Sequence, residues 1–94
     1  MMKKNKNIAT ISAVGRYLPK KRLTNRDLEK IVDTNDSWIK SRTGIEERRI
    51  VEKGQASSHM AVSAFEDLRK NYNIDPKEID AIIVATITPD MLFP

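Results

Sequence analysis

The stretch Ala81-Ile82-Ile83-Val84-Ala85-Thr86-Ile87 decides the fold class. Seven uncharged, largely apolar residues, rich in β-branched side chains, read as a strand buried on both faces, the kind found in parallel sheets covered by helices. Such a strand needs neighbours and helical layers, so the chain is expected to be α/β. Working outward, the other good strand candidate is Ile8 to Arg16, IATISAVGR, closed by Tyr17-Leu18-Pro19. Two strands and one long helix cannot cover both faces of a sheet. Beyond the apolar run the chain reads Thr88-Pro89-Asp90-Met91-Leu92-Phe93-Pro94, with Leu92 and Phe93 exposed unless further structure covers them. The expectation is one incomplete domain over residues 1–94, a piece of a larger α/β protein, with about 1–7 as a flexible N-terminus.

Between the two apolar runs the spacing is helical. Thr24 is expected to cap a short helix with Asp27 as its capping-box partner, and Leu28, Ile31 and Val32 as its apolar face. Asp33-Thr34-Asn35-Asp36 is a second cluster of capping residues, so another short helix is expected from about Asp36 to Arg42. Gly44 follows Thr43 where a helix ends in the left-handed conformation that glycine adopts without steric cost. Ile45 to Val51 has apolar ends around four charges and reads as an exposed edge strand or an extended connector. Lys53 to Ser57 is a polar loop, and Ser57 or Ser58 can cap the longest helix, which runs to about Tyr72 with Ala61, Ala64, Phe65, Leu68 and Tyr72 as its apolar stripe. Asp75-Pro76-Lys77-Glu78 repeats the start signal for a single turn.

Composition narrows the function classes. A chain of 94 residues allows one modest core, burying roughly 60–65% of its unfolded surface. No apolar run approaches the ~20 residues needed to span a bilayer, and the basic N-terminus lacks a convincing signal-peptide cleavage site, so a cytoplasmic protein is expected. Seventeen basic against thirteen acidic residues, a net charge of +4, suit an anionic partner. The Pro19-Lys20-Lys21-Arg22 cluster is too short and too poor in aromatics for a nucleic-acid surface. With no cysteine and one histidine, His59, these residues supply no disulfide framework, thiolate or histidine-rich metal site, or cysteine nucleophile. His59 is read as exposed and structural, Met60 and Met91 as packing residues.

The candidate binding feature is Trp38 with Arg42. Four residues apart on a helix, an aromatic plane and a guanidinium plane share one face. The pair could grip a flat ligand; it could equally be a packing pair with a cation over a ring. Arg48 and Arg49 read as a solvated face, with a role at an anionic phosphate as the alternative.

Several tracts at fixed spacing then carry a resemblance. Tyr17-Leu18-Pro19, Thr24-Asn25-Arg26-Asp27-Leu28-Glu29, Val32-Asp33-Thr34-Asn35-Asp36-Ser37-Trp38-Ile39 and Arg42-Thr43-Gly44-Ile45-Glu46-Glu47-Arg48 closely resemble the N-terminus of β-ketoacyl-acyl carrier protein synthase III. Ile79-Asp80, Val84-Ala85-Thr86 and Phe93-Pro94 extend the match, so it covers about Ile8 to Pro94. The resemblance implies the N-terminal part of a thiolase-like layered α/β/α/β/α fold that works as a homodimer. It implies an acyltransferase that begins type II fatty acid synthesis. The acyl group of an acyl-coenzyme A passes to a cysteine and condenses with malonyl-acyl carrier protein, giving a β-ketoacyl product, coenzyme A and carbon dioxide. No tightly bound cofactor is implied, coenzyme A thioester being a substrate. The cysteine is expected roughly two dozen residues beyond Pro94 and the histidine and asparagine far downstream, so these 94 residues alone are expected to be inactive.

By the same resemblance, Trp38 and Arg42 sandwich the adenine of coenzyme A, and Thr34 and Thr43 lie near that site, although both are equally explained as helix-cap residues. Phe93 matches a residue that crosses the dimer interface and lines the partner's primer pocket, and Ile87 sits where some relatives carry a threonine beside that pocket. Alternative readings are a related acyl-coenzyme A synthase of the same superfamily, or a non-catalytic module that binds a nucleotide or a protein. Metal, nucleic acid and membrane are not expected partners.

Overall fold

Two reciprocal hydrogen bonds start the helical part of the chain. The Asp27 amide donates to Thr24 Oγ1 (3.1 Å) and the Thr24 amide donates to Asp27 Oδ2 (2.9 Å), the capping box expected from the sequence. Hydrogen bonding of the Asp27 carboxylate to the Thr24 amide first, and to the Thr24 hydroxyl second, holds this carboxyl below its ordinary pKa. The computed structural model describes residues 8–92. In chain order its elements are β1 (Lys21–Thr24), α1 (Asn25–Glu29), α2 (Asp36–Thr43), β2 (Glu47–Ile50), α3 (Ser57–Asn71) and a 3-10 turn, Pro76–Glu78.

The sheet is not the expected one. β1 pairs antiparallel with β2, Lys21 opposite Ile50 and Thr24 opposite Glu47, so two short charged strands close a loop that contains α1 and α2. Ile45 to Val51 is therefore a strand over Glu47–Ile50, and the basic cluster before Leu23 enters its partner. Arg22 faces Arg49 across the ladder, and Glu47 separates the like charges, its carboxylate lying 3.5 Å from Arg22 Nε and 3.4 Å from Arg49 Nε. Arg48 and Arg49 do not form the expected solvated face. Arg48 donates to the Leu23 carbonyl (3.3 Å) and to Asn25 Oδ1 (3.0 Å), while Arg49 donates to the Pro19 carbonyl (2.9 Å), because each guanidinium carries more donors than one carboxylate can satisfy.

The two apolar runs expected as strands, Ile8 to Arg16 and Ala81 to Ile87, carry no ladder among the described residues. Ile83 and Ile87 are 92% and 98% exposed, so the burial expected for the second run is not seen. A strand buried on both faces needs hydrogen-bonded neighbours on both edges, and the described residues provide none for it. The first run instead crosses α3. A Cβ on Gly15 would lie 2.6 Å from the Ala64 carbonyl oxygen and from Leu68 Cβ, so only glycine lets the backbone approach this closely. The Arg16 amide donates to Asp67 there (3.0 Å).

α1 is shorter than its apolar spacing suggested. It ends at Glu29, and Ile31 and Val32 lie in the following turn, 69% and 53% exposed. α3 runs to Asn71 with Tyr72 as its C-cap, as expected, but Ala56 rather than Ser57 or Ser58 occupies the N-cap position. Alanine offers no capping oxygen, and two other groups take its place: exposed His59 accepts the Ala56 amide at Nδ1 (2.9 Å), and Asp90 Oδ1 accepts the Ser58 amide (2.9 Å). The Ser57 hydroxyl, donating to the Thr88 carbonyl (2.6 Å), ties the same segment to the helix start. Ser58 Oγ also donates to Asp90, and this bond, followed by that from the Ser58 amide, holds the Asp90 carboxyl below its ordinary pKa. Met60 is half-buried, whereas Met91 is 65% exposed and does not pack as expected. The result is a small mixed α/β arrangement with a radius of gyration of 18.8 Å, well above the ~12 Å of a compact chain of this length.

Candidate functional site

α2 presents the candidate pair. The Asn35 side chain accepts the Trp38 amide (2.8 Å) at the helix start, and Gly44, at φ 72°, ends it by donating to the Lys40 carbonyl (2.8 Å). Ile39 points inward and is buried, so α2 is seated by this one apolar side chain. Trp38, one position earlier, is 54% exposed, and Arg42 lies over its ring with Cζ 5.6 Å from the ring centroid. The spacing argument thus placed both planes on one face, and the structure brings them into a cation–π contact.

Thr43 ends α2. Its hydroxyl donates to the Ile39 carbonyl (2.7 Å) and accepts the Ile45 amide (3.0 Å), so it helps turn the chain out of the helix with one lone pair remaining. Thr34 is half-buried just before the N-cap. Ile87 lies elsewhere, at a bend in the segment after α3, and Phe93 lies outside the described residues.

Sequence reasoning missed Asn25, which is 1% exposed. Its side-chain amide donates to Asp36 Oδ1 and to the Ile45 carbonyl, both at 2.8 Å, and its carbonyl oxygen accepts from Arg48 (3.0 Å). Its backbone amide donates to the Glu46 carbonyl (3.1 Å). A buried amide with two donors and an acceptor all engaged is worth more than one surface bond, since each unmet partner would carry a desolvation cost. Only its position as the first residue after the Thr24 cap hinted that it would be enclosed. Among the described residues, no group of three or more His, Cys, Asp or Glu could hold a metal ion, and no helix is long and apolar enough to cross a membrane.

No protein-family model matches the chain. Curated relatives do. β-Ketoacyl-[acyl-carrier-protein] synthase III of Caldanaerobacter subterraneus is 55% identical over 86 residues, covering 92% of this chain and 26% of the relative. The Porphyromonas gingivalis protein of the same name is 53% identical over 91 residues, covering 96% and 27%. Among solved structures, 3-oxoacyl-[acyl-carrier-protein] synthase III from Aquifex aeolicus superposes with a TM-score of 0.74 at 51% identity, over 87% of this chain and 26% of that one. The chain matches β-ketoacyl-[acyl-carrier-protein] synthase III. The corresponding synthase from Thermus thermophilus superposes with a TM-score of 0.76 at 45% identity, over 92% of this chain and 27% of that one. The chain therefore spans about a quarter of the length of the relatives it matches. The β1–β2 ladder, α1, α2 and α3 lie within the part of the chain that these relatives cover, and Trp38 and Arg42 lie in the tract Trp38-Ile39-Lys40-Ser41-Arg42-Thr43-Gly44.

Proposed function

We propose that residues 1–94 form the N-terminal portion of a thiolase-like condensing enzyme that begins type II fatty acid synthesis, and that their part in it is to hold the adenine end of coenzyme A. The reading is supported first by the Trp38–Arg42 pair on the open face of α2, within a chain more than half identical to a synthase III over most of its length. The enzyme takes acyl-coenzyme A and malonyl-acyl carrier protein to β-ketoacyl-acyl carrier protein, coenzyme A and carbon dioxide, as a cytoplasmic homodimer. The 94 residues carry no cysteine, so the acyl-accepting thiolate comes from outside them and the chain alone performs no condensation. Coenzyme A is held as a substrate portion rather than as a resident cofactor. Thr34, just before α2, and Thr43, its last residue, contribute hydroxyl contacts to the nucleotide, and Ile87 and Phe93 belong to the acyl-primer pocket.

The chain's single tryptophan makes the adenine grip directly testable. Coenzyme A and 3′,5′-adenosine bisphosphate should both quench Trp38 emission saturably, whereas pantetheine should not. Equal quenching by pantetheine, or none by the bisphosphate, would overturn the assignment of Trp38 and Arg42 to adenine.

A further inference from the structure

We propose that Asn25 is the positioning residue of the Trp38–Arg42 grip. α2 is short and is seated by a single buried side chain, Ile39, so its own packing leaves its orientation weakly determined. Asn25 supplies what packing does not. One amide proton goes to Asp36, the first residue of α2, and the other to the carbonyl of Ile45, just beyond its Gly44 cap, both at 2.8 Å. A single buried side chain therefore holds both ends of the helix that carries the pair.

Asn25 is itself fixed. Its backbone amide is bonded to Glu46, and its carbonyl oxygen accepts from Arg48, which also grips Leu23 across the ladder. The Glu29 carboxylate adds a tie by accepting the Asp36 amide (2.8 Å). The β1–β2 ladder thus reaches α2 through Asn25, and a planar amide with both protons in use allows little rotation of the helix about its own axis. The planes of Trp38 and Arg42 must keep a fixed tilt to enclose a flat ring, so the orientation of α2 decides their affinity.

This inference rests on the adenine-binding reading, and its test separates the two. Asn25→Asp keeps the shape and the acceptor for Arg48 but loses both amide donors, and Asn25→Ala removes all three bonds. Asp90→Ala, which uncaps α3 instead, is the control for general destabilisation. With 3′,5′-adenosine bisphosphate as probe, both Asn25 variants should bind about tenfold more weakly, a loss of the size that small misplacement of binding groups produces. The control should bind as the parent chain does. Amide exchange supplies a ligand-free arm. In both Asn25 variants, protection should fall selectively at Ile39 in α2 and at its Gly44 cap, and persist at Tyr72 at the end of α3. Unchanged affinity in Asn25→Asp, or equal loss of protection in α2 and α3, would overturn the role of Asn25. A parent chain that ignores the bisphosphate, with exchange in the Asn25 variants shifting as stated, would overturn the adenine reading and keep the brace.

Discussion

Arg42→Ala is the perturbation whose size the structure sets most directly. With Cζ 5.6 Å from the Trp38 ring centroid, the guanidinium already occupies part of the space a purine would need. Two stacking contacts of about 3.5 Å each require about 7 Å between the planes, more than the 5.6 Å from Cζ to the ring centroid, so Arg42 must withdraw before a ring can enter. Opening forfeits a cation–π contact at a half-exposed ring, about 0.5–1 kcal/mol, and gains one to the enclosed purine, about 2 kcal/mol once water is excluded. The difference, about 1 kcal/mol, corresponds to a roughly fivefold weaker dissociation constant in Arg42→Ala. Titration of coenzyme A against Trp38 emission, compared with the unsubstituted chain, measures it. Affinity that is unchanged or tighter in the variant would refute the reasoning, because Arg42 would then act only as a competitor for the face of Trp38.

Four further outcomes follow from the packing and the caps. Gly15→Ala should destabilise the contact of the N-terminal run with α3 by about 1–3 kcal/mol through overpacking, since its Cβ would meet the Ala64 carbonyl at 2.6 Å; denaturant melting followed by helical circular dichroism checks this. Asn35→Ala should remove the cap accepted from the Trp38 amide and cost α2 about 1 kcal/mol, seen as faster amide exchange in α2. Glu47→Gln should weaken the hairpin by a few tenths of a kcal/mol, because Arg22 and Arg49 would face each other without a carboxylate between them; cross-strand amide exchange at Leu23 and Arg48 reads this. The Asp90 carboxyl has its pKa lowered by the Ser58 hydroxyl and amide. A depressed carboxyl contributes its stabilisation above the ordinary aspartate range and loses it as pH falls through the folded value. Acidification below that range should therefore release residues 88–90 from the start of α3, and Asp90→Asn should remove the pH dependence in an NMR titration of the Ser58 amide.

Capping chemistry explains most of what could be read in advance. Thr24 with Asp27, Asn35 within the cluster Asp33 to Asp36, Gly44 after Thr43, and Asp75 before Pro76 each satisfy backbone groups within a few residues, so their signals are local. The caps of α3 are different. Its Asp90 partner is 32 residues from Ser58, and no nearby pattern announces so distant a bond. Ile45 to Val51 holds an expected strand, whereas the two apolar runs carry no ladder among the described residues, for a related reason. Apolar runs report a capacity for burial, whereas a ladder is made by whichever segments meet in register, here Lys21–Thr24 with Glu47–Ile50.

At the candidate site, the shared helical face of Trp38 and Arg42 and the stop at Gly44 were legible in the chain alone, because the 3.6-residue period and a left-handed cap are properties of consecutive residues. It also carried the family tracts, whose order and spacing are linear information. That Arg42 covers the Trp38 ring, that Asn25 is enclosed, and that Arg48 turns inward to meet it came from the folded arrangement alone. Those outcomes depend on donors and acceptors from β1, α1, α2 and β2 converging at one point, which no spacing along the chain encodes.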